Sequence, residues 1–283
     1  MDKHGFPVLG IACLHGNADS VRILLEKGAD PNQLPMMQSF SRESPINNAL
    51  GRPAIIKLLV DHGAKPTAED LFNVLQRTKD NFEAPDYIME KCGAQIDLNA
   101  KCIFGLATML QQMTQGREAD KVEWLLAHGA NAKALDKDIQ GLEVPLFFAV
   151  CEKDDANDPK SVQILESFLK HGADANAVCM TPGGKIPLLA KCINADMYDH
   201  ALVLLKYGAK ADVPDSGGRL VLYTLAERSA CPQNAGRQDK ILQVADALLK
   251  NGAKPAPLKQ WVKEAADGKP RASSEFLKWI GEH

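Results

Sequence analysis

The chain has 283 residues, a net charge of −3, 45% hydrophobic residues and only 6% aromatic ones. The near-balanced charge offers no basic surface for nucleic acid or an anionic membrane, and no apolar run approaches the roughly 18 residues that cross a bilayer. The opening MDKHGFPVLGIACLHG has an apolar stretch whose flanks are broken by histidine and aspartate. It therefore reads as a folded element and not as a cleavable signal peptide, which suits a cytoplasmic protein or one exported without such a signal.

Along the chain, the first clear element is VRILLEKGADPN, Val21 to Asn32. Val21, Leu24 and Leu25 fall at helical spacing on one stripe, with Arg22 and Glu26 off it, so the segment predicts an amphipathic helix. Gly28 ends that helix because it takes a left-handed conformation without a Cβ clash, and Asp30, Pro31 and Asn32 continue as a turn. Weakened copies return at Ile55 to Thr67, Tyr87 to Leu98, Val122 to Ala134, Leu165 to Ala177, Ala201 to Val213 and Ala247 to Pro257, with a truncated copy, FLKWIGEH, at the end. The helix-ending glycines are Gly28, Gly63, Gly93, Gly129, Gly172, Gly208 and Gly252. Their spacing, about three dozen residues but uneven, is the mark of a solenoid with loop insertions of different length.

These copies resemble the second helix and following turn of ankyrin repeats, and PVLGIACLHGNADSV, Pro7 to Val21, resembles the ankyrin first helix, TPLHLAAxxGHxEIV. Pro7, Ala12 and Gly16 match that form, whereas Leu9 and Asn17 depart from it. The resemblance covers nearly the whole chain and implies an all-α ankyrin-repeat solenoid of stacked antiparallel helix pairs, with hairpin-like finger loops of uneven length. It is expected as one domain over 1–283, with repeats near 6–32, 44–66, 67–97, 98–132, 144–176, 186–212 and 219–256 and a C-terminal cap at 257–283.

Between the copies, several segments set further expectations. QLPMMQSFSRE after the first repeat carries Leu34, Met36, Met37 and Phe40 without an obvious helix to pack on, so they either fold back as a cover or form a sticky tip. Asn47 and Asn48 fall on the second repeat's first helix, where alanine or leucine is usual in the family. No finger follows repeats two and three. Thr67 with Asp70 is a helix-start signal for Ala68 to Arg77. KCIFGLATMLQQM is expected as the fourth repeat's apolar first helix, followed after Gly129 by a full finger with Asp136, Lys137 and Asp138 at its tip. The fifth repeat opens VPLFFAVC and then inserts the acidic run CEKDDANDPKS. Pro182, Gly183 and Gly184 mark a tight turn in the sixth finger. The seventh repeat has the longest interruption, ACPQNAGRQDK, and Trp261 and Trp279 are expected to pack down a terminal helical pair whose polar side suits a cap.

Catalytic chemistry finds little support. His62, His128 and His171 occupy one equivalent position in successive copies, too far apart in a stacked array to share a metal. The cysteines Cys13, Cys92, Cys102, Cys151, Cys179, Cys192 and Cys231 form no CxxC pair and read as small buried hydrophobes in a reducing compartment. There is no GxGxxG, GxxxxGK[ST], GxSxG or HExxH. No catalytic residue, metal site or cofactor is therefore assigned. A metal-dependent enzyme using Glu152 to Asp158 is the remote alternative, and its carboxylates lack the glycine-centred spacing of a calcium loop.

The family resemblance implies binding of another protein by a monomer that needs neither nucleic acid nor membrane. Contacts are assigned to fingers 33–40, 135–140, 178–184 and 213–217 and to the concave face. Met36, Met37, Phe40 and Met180 are the apolar candidates and Asp136, Asp138 and Asp215 the polar ones. The irregular repeats resemble free-standing bacterial or viral ankyrin proteins. That points first to neutralisation of a toxin or enzyme, as by an immunity protein or inhibitor, and second to a secreted effector acting on a host protein.

Overall fold

A computed structural model describes residues 7–34, 44–103, 106–137, 143–152, 158–181, 184–215, 217–263 and 271–283. Their contacts group into two compact units, Met1–Met109 and Leu110–His283.

In the first unit, α1 (Val8–His15) stops at Gly16, whose φ of 76° turns the chain into α2 (Ala18–Glu26). Asn17 caps α2 by accepting from the Ser20 amide at 2.9 Å. The second pair is α3 (Pro45–Asn48) and α4 (Pro53–Asp61). Ser44 caps α3, and the helix lasts a single turn because Gly51, with φ of 77°, and Pro53 follow at once. The third pair is α5 (Ala68–Arg77) and α6 (Glu83–Cys92). Here the expected start is present in full: the Thr67 hydroxyl accepts from the Asp70 amide at 3.1 Å while the Asp70 carboxylate accepts from the Thr67 amide at 2.8 Å. First helices α1, α3 and α5 pack in one layer and second helices α2, α4 and α6 in the other. Between them Cys13, Val21, Ile55, Leu59, Leu71 and Ile88 lose nearly all solvent exposure, the burial that stabilises an array whose neighbours share one core.

The unit ends in a feature the sequence reading did not expect. A finger does follow the third repeat: β1 (Lys101–Ile103) pairs antiparallel with β2 (Ala107–Thr108). KCIFGLATMLQQM is thus split, and only its second part is helix. Its first part alternates exposed Lys101 with buried Cys102, and the isoleucine and glycine that follow favour a strand and turn over a helix interior.

The second unit takes up α7 (Met109–Gln115), α8 (Ala119–Ala127), the hairpin β3 (Leu135–Lys137) with β4 (Glu143–Pro145), and α9 (Pro159–Lys170). The opening helix of the fifth repeat is only a 3-10 turn, Leu146–Val150. Its bulky Leu146, Phe147, Phe148 and Val150 are all buried, and the acidic insertion follows before another turn can form. Next come the hairpin β5 (Val178–Thr181) with β6 (Gly184–Pro187), then α10 (Leu188–Asn194), α11 (Tyr198–Lys206), α12 (Val221–Ser229) and α13 (Gln238–Lys250). Within the long interruption of the seventh repeat lies a 3-10 helix, Pro232–Arg237. α14 (Ala256–Lys263) and α15 (Ser274–Glu282) close the chain as a helical pair. Second helices α8, α9, α11, α13 and α15 pack in succession. Trp279 is buried in this layer and donates Nε1–H to Asp246 at 2.7 Å, while half-buried Trp261 meets Tyr223 edge to face at 5.2 Å.

The stop signals act as the sequence predicts, with one exception. Gly28, Gly63, Gly129, Gly172, Gly208 and Gly252 have φ between 87° and 100°, whereas Gly93 has φ of −55° and runs on into a 3-10 turn, Gly93–Gln95.

Candidate functional site: fingers and first-helix face

Each finger of the second unit follows a helix-ending glycine, and its register divides inward from outward side chains. Because strand side chains alternate, Asp136, Cys179 and Asp215, which stand at the same place after Gly129, Gly172 and Gly208, all turn away from solvent. Cys179 is 4% exposed and Asp215 7%, and Asp136 is half-buried. The residues before them face outward: Leu135 is 57% and Val178 49% exposed, and Pro214 is exposed too. Their cross-strand partners are Pro145, Pro187 and Leu220. Successive fingers of this unit thus repeat one outward apolar position that the sequence reading missed; its only signal was the apolar residue just before Asp136, Cys179 and Asp215.

The predicted site residues separate accordingly. Asp136 sits on β3 rather than at a tip, and its carboxylate accepts from Gln111 Nε2 at 2.7 Å and Gln115 Nε2 at 3.2 Å, tying the finger to α7. Asp215 is buried inside its turn. It accepts from the Gly217 amide at 2.8 Å, the Arg219 amide at 3.0 Å and the Thr224 hydroxyl at 2.8 Å. Burial pushes its carboxyl up, but these donors and the Arg219 charge outweigh that and hold it below the ordinary range. A carboxylate so occupied organises the finger. Met180 lies on β5 opposite Lys185, with its side chain outside the described residues. Met36, Met37, Phe40 and Asp138 also lie outside the described residues.

In the first unit, the first helices and the turn after α3 leave an open groove of about 570 Å³ lined by residues that include Leu14, Asn47, Asn73 and Arg77. Asn47 and Asn73 hydrogen-bond to each other across α3 and α5, Asn73 Nδ2 donating at 3.2 Å.

Groups that might have carried chemistry are occupied structurally. His62 and His128 follow α4 and α8 and place Nδ1 2.8 Å from the Leu58 and Trp124 carbonyls. His171 follows α9 and instead places Nε2 3.2 Å from Glu123. All seven cysteines are free thiols, five of them buried. Burial raises the Cys13 thiol to about 11, which removes the thiolate that reactivity needs. Residues 153–157 of the acidic insertion lie outside the described residues; at its edges Glu152 pairs with Lys191 at 2.8 Å, and Asp158 caps α9 and meets Arg117 at 3.5 Å. Among the described residues no group of three or more His, Cys, Asp or Glu is placed to hold a metal, and no helix is long and apolar enough to cross a membrane.

A second cluster escaped sequence reasoning. Asp196 has φ of 59°, at the interhelix turn where the early repeats place Gly16 and Gly51. Its carboxylate accepts from Arg228 Nε and Nη2, from Asn234 Nδ2 at 2.9 Å and from the Tyr198 hydroxyl at 2.8 Å. This knot fastens the long insertion of the seventh repeat to the preceding one.

Helix pairs that share a core with their neighbours, with left-handed Gly129, Gly172 and Gly208 leading into fingers, define a helical-repeat protein of the ankyrin kind. The ankyrin repeat family matches residues 4–34. Cyclin-dependent kinase 4 inhibitor B of Mus musculus is 31% identical over 94 residues, 32% of this chain and 70% of that protein. The Ankyrin repeat and KH domain-containing protein mask-1 of Caenorhabditis elegans is 32% identical over 104 residues, 34% of this chain but only 4% of that much longer protein. Among solved structures, the ankyrin repeat domain of Bcl-3, described as a unique member of the IkappaB protein family, superposes with a TM-score of 0.57 at 20% identity, covering 86% of this chain and all of that one. The chain belongs to the ankyrin repeat family, with the all-α solenoid fold that goes with it. Ankyrin repeats indicate a protein–protein interaction module.

Proposed function

We propose that the chain is a non-enzymatic inhibitor. As a monomer without cofactor, nucleic acid or membrane, it binds one partner protein through its fingers and first-helix face and neutralises that partner's activity, in the manner of an immunity protein against a toxin or enzyme. The observation that carries the reading is the division of each finger of the second unit into an inward residue and an outward apolar residue, Leu135, Val178 or Pro214. Apolar side chains held outward on rigid turns suit the desolvated centre of an interface. The likeness to a protein named a kinase inhibitor supports the inhibitor class. Met36, Met37, Phe40 and Met180 extend the apolar set, and Asp138 supplies a polar contact.

Affinity capture with the tagged full chain tests this, alongside one variant with Met36, Met37 and Phe40 changed to Ser and another with Leu135 and Val178 changed to Ser. One stoichiometric protein whose own activity falls on binding, and whose affinity drops at least tenfold in either variant, is the expected result. A partner held equally by both variants, or bound without loss of its activity, contradicts the proposal.

A further inference from the structure

The groove across α1, α3 and α5 brings apolar, amide and guanidinium side chains together. Leu14, 55% exposed, and Leu50 form an apolar patch in it. Asn47 and Asn73 stand beside them, and Arg52 and Arg77 line its end at Gly51. A second hollow of about 360 Å³ continues from the same Gly51, Arg52 and Arg77 and adds Thr78, Lys79 and Asn81, with Asp80 the one acidic residue in either lining.

Some cations of the described residues are neutralised by carboxylates, as in Lys57 with Glu83, Lys170 with Glu123, Lys206 with Glu166 and Arg228 with Asp196. Arg52 and Arg77 have no carboxylate partner among the described residues. Arg52 reaches only the Asn48 carbonyl, at 3.5 Å. A guanidinium presents a planar fork of donors that matches a carboxylate in two parallel hydrogen bonds. The Asn47–Asn73 bond uses one acceptor and one donor, so Asn47 Nδ2 and Asn73 Oδ1 remain open to the groove among the described residues. One donor and one acceptor side by side are what an extended peptide backbone requires.

We infer that this groove of the first unit binds an extended acidic segment of a partner protein, with Arg52 and Arg77 holding its Asp or Glu carboxylates, the Asn47–Asn73 pair holding its backbone and Leu14 with Leu50 receiving an apolar side chain between the charges. The inference rests on the protein-binding reading above and adds the chemistry of the partner. Arg77 lies exposed at the end of α5, so neutralising it leaves the fold intact.

Fluorescence anisotropy with the full chain tests it, using a labelled peptide of alternating glutamate and leucine and its lysine-for-glutamate counterpart. The glutamate peptide should bind, weaken as salt rises, and lose at least tenfold affinity in Arg77→Gln and more in Arg52→Gln/Arg77→Gln, while Arg22→Gln, whose partner is Asp19 on α2, binds as the parent does. Circular dichroism melting confirms that each variant is folded, and Arg77→Gln decides the matter if the double variant is not. Equal binding of the lysine peptide, an unchanged affinity in folded Arg77→Gln, or displacement by inorganic phosphate or an RNA oligonucleotide at matched ionic strength would overturn the inference. In the capture experiment, a partner lost by the finger variants but kept by Arg77→Gln sinks this inference and leaves the inhibitor reading standing. Peptide binding without any captured inhibited partner does the reverse.

Discussion

Gly129 has φ of 99°, and a Cβ built there would meet nothing within 4 Å, so the only obstacle to a side chain is the backbone conformation itself. Gly93 has the same place in its copy but φ of −55°, and a Cβ there would press only on the flexible Met89 side chain, at 3.1 Å from its end. The two positions separate conformational need from sequence likeness. Gly129→Ala should lower stability by about 1 to 2 kcal/mol, whereas Gly93→Ala should be neutral or slightly stabilising because it restricts the unfolded chain. Urea denaturation of both variants checks this, and equal losses would mean that Gly93 also turns left-handed in solution. The six left-handed glycines were legible because each ended an apolar stripe. Gly93 ended one as well, so nothing in its local sequence marked the difference.

At the scale of elements, neighbouring repeats are joined by side chains that reach from one turn to the next. Asn32 donates Nδ2–H to the Gly63 carbonyl at 3.0 Å and accepts from the Lys65 amide at 2.8 Å. Asn176 does the same for Gly208 and Lys210, at 3.5 Å and 2.9 Å. The equivalent places in other copies hold Lys133 and Asp212, so these turns are joined unevenly. Asn176→Ala leaves a turn amide and carbonyl without their side-chain partner and should cost about 1 kcal/mol; Lys133→Ala, which has no such bonds among the described residues, should cost less than half of that. Thermal melts of the two variants give the comparison, and a larger loss in Lys133→Ala would contradict it. Helix α5 was legible to its end residues because Thr67 and Asp70 announce it, and the stop at Gly28 was equally plain. The hairpin after the third repeat was not, because a uniformly apolar run looks the same whether it is buried as helix or as strand. Nor was Asp215's inward turn, since a short strand gives only one alternation from which to judge facing.

Over the second unit as a whole, charged pairs link successive second helices: Glu123 with Lys170 at 2.6 Å, Glu166 with Lys206 at 2.5 Å and Asp199 with Lys240 at 2.5 Å. Exposed pairs of this type contribute little singly, but Glu123 also faces Ser167 and His171. Partial burial pushes its carboxyl up, and hydrogen bonds from Lys170, Ser167 and His171 more than offset this, holding it near 2 against an ordinary value of 4.5. A carboxyl depressed by folding stabilises the native state above its unfolded value, and that stabilisation fades as pH falls from about 4.5 toward about 2. Glu123→Gln should therefore melt below the parent at pH 7, with a gap that narrows steadily as the pH is lowered from 4.5. A gap independent of pH across that range would show that the carboxylate is not the stabilising form. The solenoid was legible from the repeat period, because a repeat cannot bury its apolar stripe without a neighbour, and its ankyrin form from the resemblance of the copies. The Asp196 knot was hidden, since its partners Arg228 and Asn234 lie a full repeat away in sequence.

In the proposed mode of binding, fingers and first helices face the partner while second helices carry the array. Hydrogen–deuterium exchange of the full chain, alone and saturated with its captured partner, tests that division most directly. Slowed exchange in 33–40, 135–140, 178–184 and 213–217 and in the first helices around Asn47 and Asn73, with the second helices α8, α9, α11 and α13 unchanged, is the predicted result. Protection confined to those second helices, with the fingers exchanging as in the free chain, would contradict it.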